Sequence, residues 1–337
     1  MNNILKDQYI KKRSRLLQQI KALPKGDFES LALEVFRFQA QFNPLYRQYL
    51  ELVHCSPQAV NRLSNIPFLP ISFFKTQTVQ TGSWTPFSEF TSSGTTAQTT
   101  SHHLLRDEHW YRQNARRGFE KFYGSINNYC VLALLPSYLE RTGSSLVFMA
   151  DDFIRQSKYS ESGFFLNEID ELVKRLRYCS AHNIPTLLIG VSFALLDLAE
   201  QQKLHLENTI VMETGGMKGR RKEMTRDELH KYLTEAFNVK KIHSEYGMTE
   251  LLSQAYSQGG GIFYPSDTMR IFTREITDPF HIVQGRTGAI SIIDLANIDT
   301  ISFIATDDLG RVYEDHSFEI LGRMDASDIR GCNLLVV

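Results

Sequence analysis

The stretch "FTSSGTTAQTTSHH", Phe90 to His103, sets Thr91, Ser92, Ser93, Thr95, Thr96, Thr99, Thr100 and Ser101 around one glycine, Gly94. Hydroxyls and backbone N–H groups are the donors a polyphosphate needs, and glycine lets the chain turn and come close to an anion. The loop is neither G-x-x-x-x-G-K-[ST] nor G-x-G-x-x-G. Alone, it would read more simply as a Ser/Thr-rich surface loop. It does not stand alone. "SEYGMTELLSQ" holds Tyr246, Gly247, Met248, Thr249 and Glu250. An aromatic there can stack on a purine, a hydroxyl can meet phosphate, and a carboxylate can hold Mg²⁺. "ATDDLGRV" sets Asp307 and Asp308 after a strand, where a carboxylate can accept both ribose hydroxyl protons, and "EILGRMD" adds Arg323. Each stretch alone could be a turn or a salt bridge. Their order along the chain is the informative signal.

Elements of definite type must position these residues. Residues 1 to about 65 read as helical, with Leu31, Leu33, Val35, Phe36, Ala40 and Phe42 at helical spacing and punctuation at Pro24, Gly26 and Pro44. "SNIPFLPISFFKTQTV" is proline-rich and aromatic, which suits an extended segment on a core, with Lys75 on its surface. From about residue 128 strands and helices alternate. "NYCVLALLPSY", "PTLLIGVS" and "NTIVMETGG" read as strands, and the last opens into the Gly215–Gly216 turn. "FLNEIDELVKRLRYCSAHN", with Leu166, Ile169, Leu172, Val173 and Leu176 on one stripe, and "FALLDLAEQQK" read as helices. "TRDELHKYLTEAF" starts at Thr225 with Glu228 three residues on, a capping box. This alternation predicts an α/β fold with a mainly parallel sheet. After residue 260 short strands follow one another without long helices, which predicts a β-rich subdomain. Trp110, Tyr111, Phe119 and Phe122 read as the core stripe of a helix rather than as the wall of an acyl pocket.

Composition narrows the function classes. The chain has 337 residues, 42% hydrophobic and 22% charged, as in globular proteins. A formal net charge of -1 leaves no electrostatic footprint for nucleic acid, so clusters such as "IKKRSR" read as solvated faces. No run approaches the ~20 apolar residues of a membrane span. The N-terminus lacks a signal-peptide pattern, and a cytoplasmic location is the simplest expectation. Cys55, Cys130, Cys179 and Cys332 are far apart in sequence, which argues against a zinc site or a disulfide framework.

The four polar stretches, in this order, resemble the adenylate-forming enzymes: acyl- and aryl-CoA ligases, luciferases and their relatives. The resemblance implies the large N-terminal domain of that fold, with ATP and Mg²⁺. It implies that Ser92, Ser93, Gly94, Thr95 and Thr96 embrace ATP phosphates. Tyr246, Gly247, Met248 and Thr249 would contact adenine and phosphate, and Glu250 would hold Mg²⁺. Asp308, in Thr306-Asp307-Asp308, would bind ribose where the family has Thr-Gly-Asp. Arg323, in the hinge Gly322 to Asp325, would contact the nucleotide, and Gly215 and Gly216 would pass beside adenine.

Two departures sharpen the resemblance. The family loop usually ends with a lysine; here it reads "TAQTTSHH". The family also continues past the hinge into a small domain with a lysine for the substrate carboxylate and α-phosphate. That small domain is expected to be absent here. With "IPFLPISFFK", "ETGGMKGRRKEM" and "SEYGMTEL", the chain is similar to acyl-protein synthetases of the LuxE type. Their short chains carry the acyl group on a cysteine near the C-terminus, and Cys332 fits that role. Without the resemblance, Cys332 would read as a small apolar residue closing a terminal strand with Leu334, Leu335 and Val336. The implied organisation is one large domain over 1–337: a helical region 1–75, an α/β core 76–260, and a β-rich subdomain with tail 261–337. The implied reaction activates a long-chain fatty acid as acyl-adenylate, transfers it to an enzyme thiol and passes it to an acyl-reductase-type protein or another acceptor. Lys218, Arg220, Arg221, Lys222, His102 and His103 are open candidates for charge at the α-phosphate, and Arg330 and Arg323 for stabilising the thiolate. For both histidines, a plain hydrogen bond from loop to backbone is an equal alternative. Two other functions fit the same motifs: a CoA ligase lacking its small domain, and a non-catalytic nucleotide-binding relative.

Overall fold

The computed structural model describes residues 3–92, 100–136, 143–166, 168–216 and 224–324. Three helices open the chain: α1 (Asn3–Ala22), α2 (Phe28–Phe42) and α3 (Pro44–Leu52). Local chemistry sets their limits. The Asp27 side chain accepts the Glu29 N–H and starts α2. Asn43 ends α2 and caps α3 through the Tyr46 N–H, with proline at the first helical position, where its missing N–H costs nothing. The expected stripe of α2 is buried at Leu31, Val35, Phe36, Ala40 and Phe42, while Leu33 is only half-buried and Phe38 joins the core. The proline-rich segment is extended over β1 (Leu69–Pro70) alone, then coils into the turn α4 (Phe73–Thr76). There the Gln77 N–H bonds the Phe73 carbonyl at 2.8 Å and Phe74 is buried, with Lys75 exposed.

The chain divides into two compact units, residues 1–85 with 267–337, and residues 86–266. The second unit opens with a hairpin of β2 (Ser88–Thr91) and β3 (His102–Leu105), followed by α5 (Glu108–Tyr123), β4 (Cys130–Leu134), α6 (Ser145–Gln156), β5 (Gly163–Phe165), α7 (Ile169–Ala181), β6 (Thr186–Val191), α8 (Ser192–Gln201), β7 (Thr209–Thr214), α9 (Arg226–Phe237), β8 (His243–Tyr246), β9 (Ala255–Ser257) and β10 (Ile262–Pro265). Strands β5, β4, β6, β7 and β8 pair in parallel in that order, and β9 and β10 extend the sheet antiparallel. Every residue of β4 and β6 is buried, as expected of strands covered on both faces. The capping box forms at α9 as its sequence predicts. Strand β5 was not expected. It takes up the start of the segment read as one helix, so Leu166 lies before α7. Trp110, Tyr111 and Phe119 of α5 are core residues, and Phe122 is half-buried.

The first unit is completed by β11 (Met269–Arg274), β12 (Ile282–Val283), β13 (Thr287–Asp294), β14 (Phe303–Val312) and β15 (Phe318–Arg323), the strand-rich texture expected after residue 260. Strands β12, β11, β13, β14 and β15 pair antiparallel in that order, and β1 adds to β14 in parallel. The helical start is locked onto this sheet. Gln39, fully buried, donates to the Asn297 and Ile298 carbonyls and accepts the Ser302 N–H, while Arg13 makes two 2.6 Å contacts with Asp299. Phe36 and Tyr46 pack edge-on against each other, and the Phe36 and Phe303 ring centroids lie 5.8 Å apart.

Candidate functional site

In the second unit the predicted residues gather where the parallel strands end. Strands β2 and β3 pair antiparallel, and their connection is the Ser/Thr/Gly loop. Ser92 closes its base: its hydroxyl accepts the Ser101 N–H at 2.9 Å, and its own N–H donates to the Ser101 carbonyl. Ser93, Gly94, Thr95 and Thr96 lie outside the described residues, as do Lys218, Arg220, Arg221, Lys222, Arg330 and Cys332. In β3, His103 is fully buried and its Nδ1–H donates to the Thr249 carbonyl at 2.7 Å. The loop base and the Tyr246–Glu250 stretch are therefore fastened together. His102 instead faces solvent, with Nδ1 2.9 Å from Glu89 Oε1.

Strand β8 ends at Tyr246, and the Leu251 N–H bonds the Met248 carbonyl, so Thr249 and Glu250 occupy the middle of a tight turn. Glu250 is buried at 6% exposure. Tyr246 is half-buried and packs edge-on against Phe263. A Cβ at Gly247 would sit 2.4 Å from Glu245 Oε1, so that carboxylate would have to shift to admit one. Gly215, just past β7, takes a left-handed φ of 67°, and its carbonyl accepts the Ser192 hydroxyl at 2.9 Å. Gly216 follows, with no described residue within 4 Å of its Cβ position.

Between these two turns lie buried carboxylates that sequence reasoning missed. Glu213 and Glu245 stand near the ends of the paired strands β7 and β8, one register step apart. Burial would raise the Glu213 pKa, but the His230 hydrogen bond, the Arg226 charge and the Ser244 hydroxyl outweigh it and hold the group below its ordinary value. The Ser192 hydroxyl also lies 3.0 Å from Glu213 Oε2. Among the described residues the Thr214 hydroxyl alone offsets burial and the nearby Glu213 charge at Glu245, and its pKa is pushed up to about 7. At the start of β8, burial and the Lys241 and His230 charges push His243 down to about 4, and its Nδ1 lies 3.1 Å from the Tyr123 hydroxyl. The available signal was a single glutamate near the end of each strand, Glu213 in "TIVMET" and Glu245 in "HSEY".

In the first unit, antiparallel pairing sets Asp308 opposite Arg323, with Arg323 Nε 3.2 Å from Asp308 Oδ1. Asp307 and Asp308 lie inside β14 rather than after a strand, because pairing with β15 carries β14 on to Val312. The Met324 N–H bonds the Asp307 carbonyl at 2.7 Å, continuing that pairing past the end of β15.

No protein-family model and no curated protein sequence matches this chain. Solved structures do match its fold. An open conformation of 2-hydroxyisobutyryl-CoA ligase, in complex with 2-HIB-AMP and CoA, aligns at a TM-score of 0.66 and 12% identity over 88% of this chain and 70% of the ligase. ATP-bound MatB from Rhodopseudomonas palustris aligns at 0.53 and 15% identity over 70% of this chain and 47% of its own. The chain thus has the α/β fold of the large N-terminal domain of adenylate-forming CoA ligases. In the described residues no helix is long and apolar enough to cross a membrane.

Proposed function

We propose that this protein is an ATP-dependent acid–thiol ligase that activates a long-chain fatty acid as acyl-adenylate and transfers it to Cys332. The observation supporting this reading is the fastening of the loop base to the Thr249–Glu250 turn within a fold shared with CoA ligases. It joins the two stretches assigned to phosphate and metal. The substrate carboxylate attacks the α-phosphorus of ATP, a P–O bond forms, and pyrophosphate leaves. The protein positions the reactants and neutralises charge. Ser92, Ser93, Gly94, Thr95 and Thr96 are the proposed phosphate donors. Tyr246 to Thr249, with Gly215 and Gly216, are the proposed contacts to adenine and phosphate. Asp308 and Arg323 are the proposed ribose and nucleotide contacts of the first unit.

A magnesium ion fits these residues. It commonly takes one or two protein carboxylates and completes its shell with substrate phosphates and water, and the buried Glu250 carboxylate offers such an oxygen. When bound, the ion would offset the charge on the leaving pyrophosphate. In the second step the Cys332 thiolate attacks the adenylate carbonyl, a thioester forms and AMP leaves. An acyl-reductase-type protein or another acceptor then takes the acyl group.

The test has two stages. Carboxylate-dependent exchange of labelled pyrophosphate into ATP, over a panel of acids, is expected to respond to long-chain acids. Labelled acid with ATP, and no CoA, is expected to mark the protein covalently, and Cys332→Ser to abolish the mark. Exchange without a mark, but with product formed on adding CoA, would move the reading to a CoA ligase, as the structural relatives favour. No exchange with any acid would leave a non-catalytic nucleotide-binding relative.

A further inference from the structure

The turn that bears Thr249 and Glu250 is held by two buried side chains to which the proposed reaction assigns no contact with acid, nucleotide or metal. His103 donates to the Thr249 carbonyl at 2.7 Å. Asn114 of α5, 3% exposed, donates from Nδ2 to the Leu252 carbonyl at 2.9 Å and lies 3.1 Å from the Ser253 hydroxyl. Both donors come from elements that directly follow the Ser/Thr/Gly loop. Two carbonyls on either side of Glu250 are thus pinned by the stretch that continues from the loop. A carbonyl accepts and never donates, so His103 Nδ1 carries the proton and the ring is fixed in one orientation. The peptide unit is planar and trans. Fixing the Thr249 carbonyl therefore also fixes the Glu250 N–H on the opposite edge of that plane, and with it the start of the Glu250 side chain.

We infer that His103 and Asn114 are positioning residues: a buried clamp that holds the Thr249–Glu250 turn against β3 and α5, the elements that follow the Ser/Thr/Gly loop in the chain. This inference rests on the proposed nucleotide and metal roles of that turn. It separates the two histidines of the loop. His103 acts through the backbone of the turn, and His102 is a solvent-facing neighbour of Glu89.

The experiment uses the full chain with Mn²⁺ as the metal probe and a non-hydrolysable ATP analogue, and reads bound Mn²⁺ by electron paramagnetic resonance. His103→Leu removes the donor. His103→Asn returns a donor at nearly the same distance from the backbone. Loss of an outer-shell orienting group weakens metal binding about 10- to 100-fold. His103→Leu is expected to fall in that range. His103→Asn is expected to recover most of the affinity. In the exchange assay the Mg²⁺ requirement should rise in the same proportion while the KM for the acid stays put. If His103→Leu does not fold, Asn114→Ser is read in the same way, with a smaller weakening expected. Unchanged Mn²⁺ affinity in the clamp variants, with a wild type that binds both probe and nucleotide, overturns the clamp alone. A wild type that binds neither removes the functional reading, and the clamp with it.

Discussion

Glu245 is a carboxylate whose burial has a measurable cost. Its pKa stands at about 7 against an ordinary 4.5, so the folded state holds the proton more tightly than the unfolded chain. That stability is fully present below about pH 4.5 and is lost as pH rises through about 7. The gap corresponds to about 3 kcal/mol. Glu245→Gln, which keeps an acceptor for the Thr214 hydroxyl, is expected to raise Tm at pH 8 and leave it unchanged at pH 4. Equal effects at both values would show that Glu245 does not hold its proton at neutral pH. Gly247 gives a second test, because a Cβ there would press on Glu245 Oε1 and displace that carboxylate from the Thr214 hydroxyl. Gly247→Ala is expected to cost about 1–3 kcal/mol by chemical denaturation, and Gly247→Ala with Glu245→Ala to cost less than the two singles summed, since the clash is gone.

At the scale of elements, the helical start of the chain belongs to the strands at its other end. Gln39 is a buried amide on α2 whose three hydrogen bonds all go to the connection between β13 and β14. Gln39→Leu leaves two carbonyls and one N–H buried without that partner, which is expected to cost on the order of 3 kcal/mol in a denaturant titration. Element types were readable where spacing was strong. The stripe of α2, the β4, β6 and β7 runs and the Thr225–Glu228 box are local patterns, so residues 130–134, 186–191 and 225–228 form what their sequence predicts. Strand β5 was not readable. Three residues, Gly163 to Phe165, carry too little periodicity, and their strand character comes from pairing with β4. The same holds for Asp308, which local sequence leaves beyond a strand and cross-strand pairing draws into one.

At the scale of the molecule, each unit has its own core. The second unit is continuous in sequence, so residues 86–266 expressed alone are expected to show cooperative thermal unfolding by circular dichroism. The first unit is discontinuous. Residues 267–337 alone would expose Phe303 and the surfaces that α2 and α3 cover. They are expected to aggregate unless residues 1–85 are co-expressed. A soluble, cooperative 267–337 fragment would contradict that division.

By itself the sequence determined most of the helices and buried strands of residues 128–260, the alternation that makes a parallel sheet, and the polar stretches in which candidate chemistry sits. These are local properties: side-chain periodicity, capping and turn chemistry act over a few residues. Tertiary structure alone decided which distant residues meet. His103 and Thr249 are separated by 146 positions, yet they share a 2.7 Å hydrogen bond because β3 and the turn after β8 pack side by side. Glu213 and Glu245 look like ordinary charged residues until parallel pairing sets them on adjacent buried strands, where burial raises both carboxylates and the His230, Arg226 and Ser244 contacts reverse that only at Glu213. Desolvation and proximity are properties of the folded interior, and no spacing along the chain encodes them.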